Sequence, residues 1–438
     1  MLLSLKKFWS GPTVIFALAL ALRLFSLWQN PSALDLPLNH DALRYNMLAE
    51  SVLAGDGLVF MGHYAQVSPG YPLFLAGIYK ISGSSRLAVL VVQCALGALL
   101  ALLIYLIALS VFSQRAALAA GIFSALYWPL IKIGEKLLSE ALFIPLLAAA
   151  LYLFIRARDR ENTAALTGSA VLFALAVLTR PVVLYFSAAL AALLAWDCYK
   201  SGNKAALARL VLFPAVFFLI LSPWAVRNRI RLGEFIFTNS NSGMVVAAGN
   251  RPSEGKIFGF DLTASQLRPE DRYILSLPEV QRDRALKALA WKEISNAPGK
   301  IPGLLLYKTL YFISPFDWEV LGHLNGVFNP WFLWALLFAP LGLAAGQADR
   351  NRWLLLWLLL YFYLISMATY ASSRLRLPVE PVFIVYAAAG WSVVERKISG
   401  FRWWLALIFL ALSTAAGYFY SVELKTAART FLEAAGIW

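Results

Sequence analysis

The chain has 438 residues, of which 60% are hydrophobic and only 14% charged, with a mean hydropathy of +0.68. Such a composition excludes a soluble globular domain with an ordinary polar surface and points to a polytopic membrane protein. The net charge of +14 does not imply nucleic acid, because the basic residues are scattered through short loops without a dense run; they read as topology signals and contacts to anionic lipid.

Taken in order, Lys6 and Lys7 precede an apolar run from about Pro12 to Trp28 that is long enough to cross a bilayer. It ends without a small-residue cleavage site, so it reads as a first membrane helix rather than a signal peptide. The lysines place the N-terminus on the cytoplasmic side. A loop of residues 29–86 follows on the outer side. Within it, LNHDALRYNMLAESVLAGDG (38–57) has helical spacing, with Leu43, Met47 and Ser51 on one side and Tyr45, Leu48 and Val52 on another. SPGYPLFLAGIYKI (68–81) is apolar but short for a span, and its prolines suit a first turn. Both segments are expected to lie along the membrane surface.

Further apolar segments fall at about 87–112, 116–131, 138–155, 164–179, 181–197, 208–226, 329–346, 353–371, 378–394 and 402–420. With the first run they make about eleven crossings. Every inner loop of that topology carries at least one Lys or Arg, which supports separating two helices at Thr179 to Pro181. The long outer segment 227–328 opens on an Asn-, Ser- and Gly-rich stretch. It continues as a charged amphipathic helix from near Pro278 to near Asn296, then an apolar surface helix in IPGLLLYKTLYFISP. Three regions follow: an N-terminal transmembrane module (1–226), a periplasmic loop region (227–328) and C-terminal transmembrane helices (329–438).

Chemistry concentrates at the outer side. Asp41 opens the first surface helix, where helix N-termini favour an ionised carboxylate and Arg44 stands one turn on; an ionised carboxylate can accept a proton. Asp is also a common helix cap, and the local sequence leaves cap and base both open. Glu140, in LLSEALFIPLL, sits at an outer helix mouth, either ion-paired with Lys136 four residues earlier or functional, with Glu135 a weaker candidate. Arg374 and Arg376, in SSRLRLPVEP, lie outside against the positive-inside rule. Extended backbone before Pro378 would point both guanidinium groups one way, as a phosphate receptor; the alternative is a snorkelling pair at a helix end. Cys94 and Cys198 lie in or beside apolar segments, and His40, His63 and His323 are too dispersed for a metal motif.

The ordered set DALRYNMLA (41–49), SPGYPLFLAGIY, LLSEALF, LTRP (178–181), PWAVRNRIRLGEFIF with GNRP, and SSRLRLPVEP resembles the bacterial GT-C glycosyltransferases of the protein-O-mannosyltransferase-like family 39 group, related to lipid A aminoarabinose transferases. The resemblance implies an all-α GT-C fold with juxtamembrane helices in the first outer loop. It also implies a periplasm-facing active site in a bacterial inner membrane, and a polyprenyl-phosphate sugar donor. Asp41 matches the acid that activates the acceptor, giving inversion. Substrate contacts are expected from Arg44, Tyr45, His63, Tyr64, Ser68, Tyr71, Glu140, Arg374 and Arg376. No cofactor is required, a divalent metal is not favoured, and a monomer with a glycan, lipid or protein acceptor is expected. Many relatives have two adjacent acids where this chain has Asp41-Ala42, and the aminoarabinose transferases have a lysine where it has Ser68. The rival readings are a transporter or flippase of lipid-linked sugar and a polysaccharide ligase or polymerase.

Overall fold

The computed structural model describes residues 11–35, 38, 40–250, 269–317, 327–344 and 349–397. The last expected crossing, 402–420, lies outside them, as does His323. The described chain is helical, apart from a pair of two-residue antiparallel strands, β1 (Phe316–Asp317) and β2 (Val327–Phe328). In chain order, apart from the four-residue helical turn Ser32–Asp35, the helices are α1 (Gly11–Trp28), α2 (His40–Ala54), α3 (Gly70–Ser82), α4 (Arg86–Val111), α5 (Gln114–Leu126), α6 (Trp128–Lys132), α7 (Glu140–Arg160), α8 (Thr163–Thr179), α9 (Leu184–Ser201) and α10 (Lys204–Leu232). After these come α11 (Ser242–Asn250), α12 (Pro269–Ser276), α13 (Glu279–Asn296), α14 (Ile301–Ile313), α15 (Pro330–Ala344), α16 (Arg350–Ala368), α17 (Ser373–Arg376) and α18 (Glu380–Lys397).

Local chemistry sets these boundaries. Ser85, Ser113, Asn162 and Asn203 each accept a hydrogen bond from the backbone N–H three residues on, capping α4, α5, α8 and α10. Gly83, Gly202 and Gly233 take the left-handed conformation that closes α3, α9 and α10. Between α8 and the 3₁₀ turn Pro181–Val183, Arg180 is extended (φ −143°, ψ 120°), as the residue before a proline prefers. The break expected at Thr179 to Pro181 is therefore present.

Seven described helical segments are long and apolar enough to cross a membrane, and the pair α5 with residues 128–135, bent by 52°, makes an eighth. Two shorter apolar helices, α8 and α15, fall near 16 residues. All ten correspond to segments expected from the sequence.

The chain divides into two compact units. The first comprises Met1–Thr238, Ala335–Leu358 and Glu380–Phe401; the second comprises Asn239–Trp334, Leu359–Val379 and Arg402–Trp438. In the first unit, α15 and α18 touch backbone to backbone: a Cβ added at Gly342 would lie 1.8 Å from the Tyr386 carbonyl oxygen, and one at Gly390 would lie 2.1 Å from that of Phe338. Small residues allow such contact where lipid supplies no hydrophobic drive between helices. One end of this unit gathers basic residues from the expected inner loops. Arg158 makes a bidentate pair with Asp197 (2.7 and 2.8 Å), Arg350 pairs with Asp159 (2.9 Å) and Arg209 with Glu161 (3.3 Å).

The second unit packs α11 on α13 through Ala247, Leu286, Leu289 and Ala290, joined by Ile274 of α12. Asp283 accepts from the Gly243 amide (2.5 Å), so a carboxylate serves the start of α11. Lys308 of α14 is fully buried and donates to Asn250 Oδ1 (2.8 Å) and to the carbonyls of Met367 (2.8 Å) and Thr369 (2.7 Å), closing the C-terminal end of α16. Burial pushes the Lys308 ammonium down to about 8.

Candidate active site

The site builds from α2. Its Leu48 and Ala49 are buried, and Ala42, Tyr45 and Val52 pack against a core formed with Tyr71, Leu75 and Tyr79 of α3 and Val89, Leu90 and Cys94 of α4. The side bearing Leu43 and Met47 stays exposed. Asp41 lies in the first turn, partly exposed, one turn before Tyr45 on the same helix face.

Tyr45 is the hook that ties this turn to the rest. Its hydroxyl donates to Ser139 Oγ (3.2 Å), and its ring meets Tyr71 edge-on at 4.9 Å. Ser139 precedes α7 without capping it, so its hydroxyl is left for side chains. It accepts from Tyr45 and from Arg180 Nη1 (3.2 Å), and donates to Glu140 Oε2 (3.4 Å), using both lone pairs and its one proton. Arg180 Nη1 also pairs with Glu140 Oε1 at 2.5 Å; the Glu140 side chain is fully buried and that of Arg180 is 16% exposed. Three helix ends far apart in sequence, from α2, α7 and α8, thus meet on one hydroxyl.

The second layer fixes the first. Tyr71, fully buried, donates to Gln93 Oε1 (2.6 Å), and Gln93 Nε2 donates to the carbonyls of Gly134 (3.0 Å) and Lys136 (2.9 Å). Burial foremost, then Tyr45, Tyr79 and Glu140, hold the Tyr71 phenol well above its ordinary range, so it remains a donor. Buried Ser68 leads into Gly70, where a Cβ would come 2.7 Å from Thr179 Oγ1 and 2.9 Å from the Leu178 carbonyl, so glycine lets the SPGY turn press on the LTRP turn. Glu135 is saturated: Ser26 (2.5 Å), Asn30 (2.8 Å) and Lys132 (3.0 and 2.8 Å) all donate to it.

The loop 55–64 folds back to α2, where Ser51 donates to the Gly57 carbonyl and Arg44 meets Phe60. Met61 and Gly62, both at positive φ, make the turn of a small hairpin in which Phe60 and His63 exchange backbone hydrogen bonds. Arg227, near the end of α10, holds this loop by donating to the carbonyls of Tyr64 (2.5 Å) and Leu58 (2.8 Å) while lying over the Trp224 and Tyr64 rings. Arg44 lies over Phe60 at 5.6 Å; it has no carboxylate partner among the described residues, and its Nε is buried without a hydrogen bond.

Arg374 and Arg376 belong to the second unit. Their segment is helical, not extended, because Ser372 accepts from Leu375 N (3.2 Å) and starts a turn. On a helix, residues two apart diverge. Arg374 is half-buried, whereas Arg376 is fully buried, donates to the carbonyls of Phe312 (2.8 Å) and Ser314 (2.6 Å) at the end of α14, and lies 3.5 Å over Phe332. Its geometry is that of a helix C-cap.

Sequence reasoning passed over Arg180, Ser139, Gln93 and Arg227. For Arg180 the signal existed: the topology that makes Arg374 and Arg376 outliers puts Arg180 on the same outer side. Among the described residues no three His, Cys, Asp or Glu side chains group as metal ligands.

Residues 66–227 match the family model described as dolichyl-phosphate-mannose-protein mannosyltransferase. That segment runs from just before Ser68 to Arg227, taking in Tyr71, Gln93, Glu140 and Arg180. Over 97% of its length the chain superposes on the oligosaccharyltransferase AglB from Archaeoglobus fulgidus, solved with an inhibitory peptide and a dolichol-phosphate, at TM-score 0.53 and 14% identity. The chain has a GT-C fold. The apo form of the same archaeal enzyme superposes at TM-score 0.54 and 17% identity, again over 97% of this chain. ArnT from Cupriavidus metallidurans in the apo state gives TM-score 0.41 and 17% identity, over 87% of this chain and 78% of that one. This GT-C chain spans about half of the archaeal enzyme, 56% and 55% of its length in the two superpositions. No curated sequence matches it.

Proposed function

We propose that this GT-C protein moves a glycosyl group from a polyprenyl-phosphate carrier to an acceptor hydroxyl or amine on the outer face of a bacterial inner membrane. Asp41 takes the acceptor proton as the new bond to the anomeric carbon forms. The bond from that carbon to the phosphate oxygen breaks from the opposite side, its electron pair leaves on the polyprenyl phosphate, and the configuration inverts. Because negative charge grows on the departing phosphate, a nearby cation stabilises the transition state more than the ground state.

The observation that carries this reading is the first turn of α2. There a partly exposed carboxylate stands three residues from a guanidinium that has no carboxylate partner among the described residues. Asp41 supplies the base and Arg44 the first phosphate contact, with Arg180 a second through its exposed edge. Glu140 holds Arg180, Tyr71 braces Tyr45, and His63, Tyr64 and Ser68 border the acceptor side. A polyprenyl-type lipid phosphate also accompanies a structural neighbour, since AglB is solved with a dolichol-phosphate, and this supports the reading.

The test is transfer from a polyprenyl-phosphate-linked sugar in proteoliposomes. Asp41→Asn is expected to keep the thermal midpoint of the wild type and to lose turnover by about two to four orders of magnitude. Near-normal turnover by that variant removes Asp41 as the base.

A further inference from the structure

Arg23 lies inside the first membrane helix with 1% of its surface exposed and has no carboxylate partner among the described residues. A buried cation at such a position is costly and persists only where it is needed. Its Nη1 donates to the carbonyl of Ala19 (3.1 Å), in its own helix, and to that of Ala125 (3.3 Å) in α5. In a continuous helix the Ala125 carbonyl would accept from the amide of residue 129, but that residue is Pro129, which has no N–H. There the chain bends by 52° into α6. Arg23 supplies the donor that proline withholds. Gly97 makes room for it: a Cβ at that position would sit 2.5 Å from Arg23 Nε.

The same face of α1, continued by the residues just past its end, then grips the far side of the break. Ser26 and Asn30, three and seven residues beyond Arg23, donate to the two oxygens of Glu135. Immediately beyond Glu135 come the Lys136 carbonyl held by Gln93 and then Ser139 and Glu140. We infer that Arg23 is a positioning residue for transfer: by satisfying Ala125 it maintains the broken helix that delivers Ser139 and Glu140 to Tyr45 and Arg180. The inference rests on the proposed transfer reaction.

The experiment compares Arg23→Met, Arg23→Met/Pro129→Ala and Arg23→Lys in the full-length protein, reading thermal midpoint, kcat and KM for the lipid-linked donor. Arg23→Met is expected to lower the midpoint. The double variant returns an N–H to Ala125 and should recover the midpoint. Because its helix can then run straight, its kcat stays lower by about tenfold or more with KM little changed. Arg23→Lys, which keeps a donor and the proline, should recover part of both. Recovery of midpoint and kcat together in the double variant overturns the positioning role, leaving Arg23 as a stabilising contact only. No recovery of the midpoint overturns the pairing with Ala125. If the wild type transfers no sugar, the reaction reading fails instead, while the midpoints still report on the Ala125 pairing.

Discussion

Arg180 in the first unit and Arg376 in the second are both cations that the sequence topology puts on the wrong side of the membrane, yet they are used differently. Arg376 is fully buried, donates from Nη1 to two backbone carbonyls at the end of α14 and covers its face with Phe332. Lys308 does the same work at the end of α16. Arg180 instead meets a carboxylate and a hydroxyl, keeps an exposed edge, and sits in a network with Tyr45 and Tyr71. A misplaced positive charge therefore marks a constraint without saying which kind. Partners distinguish them: carbonyl acceptors at Arg376 match a helix cap, and the carboxylate and hydroxyl shared by the partly open Arg180 fit the proposed phosphate contact.

The strongest way to break this contrast is Arg180→Met. It strands the buried Glu140 carboxylate, so a loss of about 3–5 kcal/mol is expected, together with loss of turnover. Adding Glu140→Met should restore most of the stability, since a well-packed apolar pair can replace a buried ion pair, while turnover stays absent. Recovery of turnover in the double variant, measured in the same transfer assay, would make Arg180 a structural cation like Arg376. Next in size, Arg376→Ala is expected to cost about 2–3 kcal/mol through lost charge-assisted hydrogen bonds, with KM for the lipid-linked donor unchanged in the protein that remains folded. A raised KM at unchanged stability would move Arg376 into the substrate group. An effect confined to alkaline pH concerns Lys308. With its value in the folded chain brought down to about 8, the unfolded chain holds more protons between pH ~8 and ~10.5, so stability should rise with pH across that window and be flat below it. Lys308→Met should erase that slope in unfolding measured against pH.

The fold was legible because the bilayer imposes long apolar runs and short polar signals end them. The expected helix near 278–296 is α13, Glu279–Asn296, and the surface helix of 68–81 is α3, Gly70–Ser82. Capping residues were less visible. Ser372 turns SSRLRLP into a helical turn where the pull of Pro378 on its neighbour suggested extended backbone, and so Arg374 and Arg376 part company. Of the candidate site, the sequence showed the places of Asp41 and Glu140 in the first turns of their helices. It did not show the encounters across the chain: nothing in Ser139 alone announces that Tyr45 and Arg180 converge on it, 94 and 41 residues away. Arg23 escaped notice for a related reason, since an apolar run long enough to span hides a single interior cation whose purpose is written in Pro129.

The contact between α15 and α18 at Gly342 and Gly390 has a mechanical corollary. Two rods joined at their peptide planes, and clasped beside that contact by the Phe338 and Trp391 rings at 5.2 Å, have little freedom to lean separately. In a thicker or thinner bilayer each span alone would adjust its own inclination; here the pair must incline as one body. A methyl group at either glycine would wedge them apart and let each answer the lipid independently.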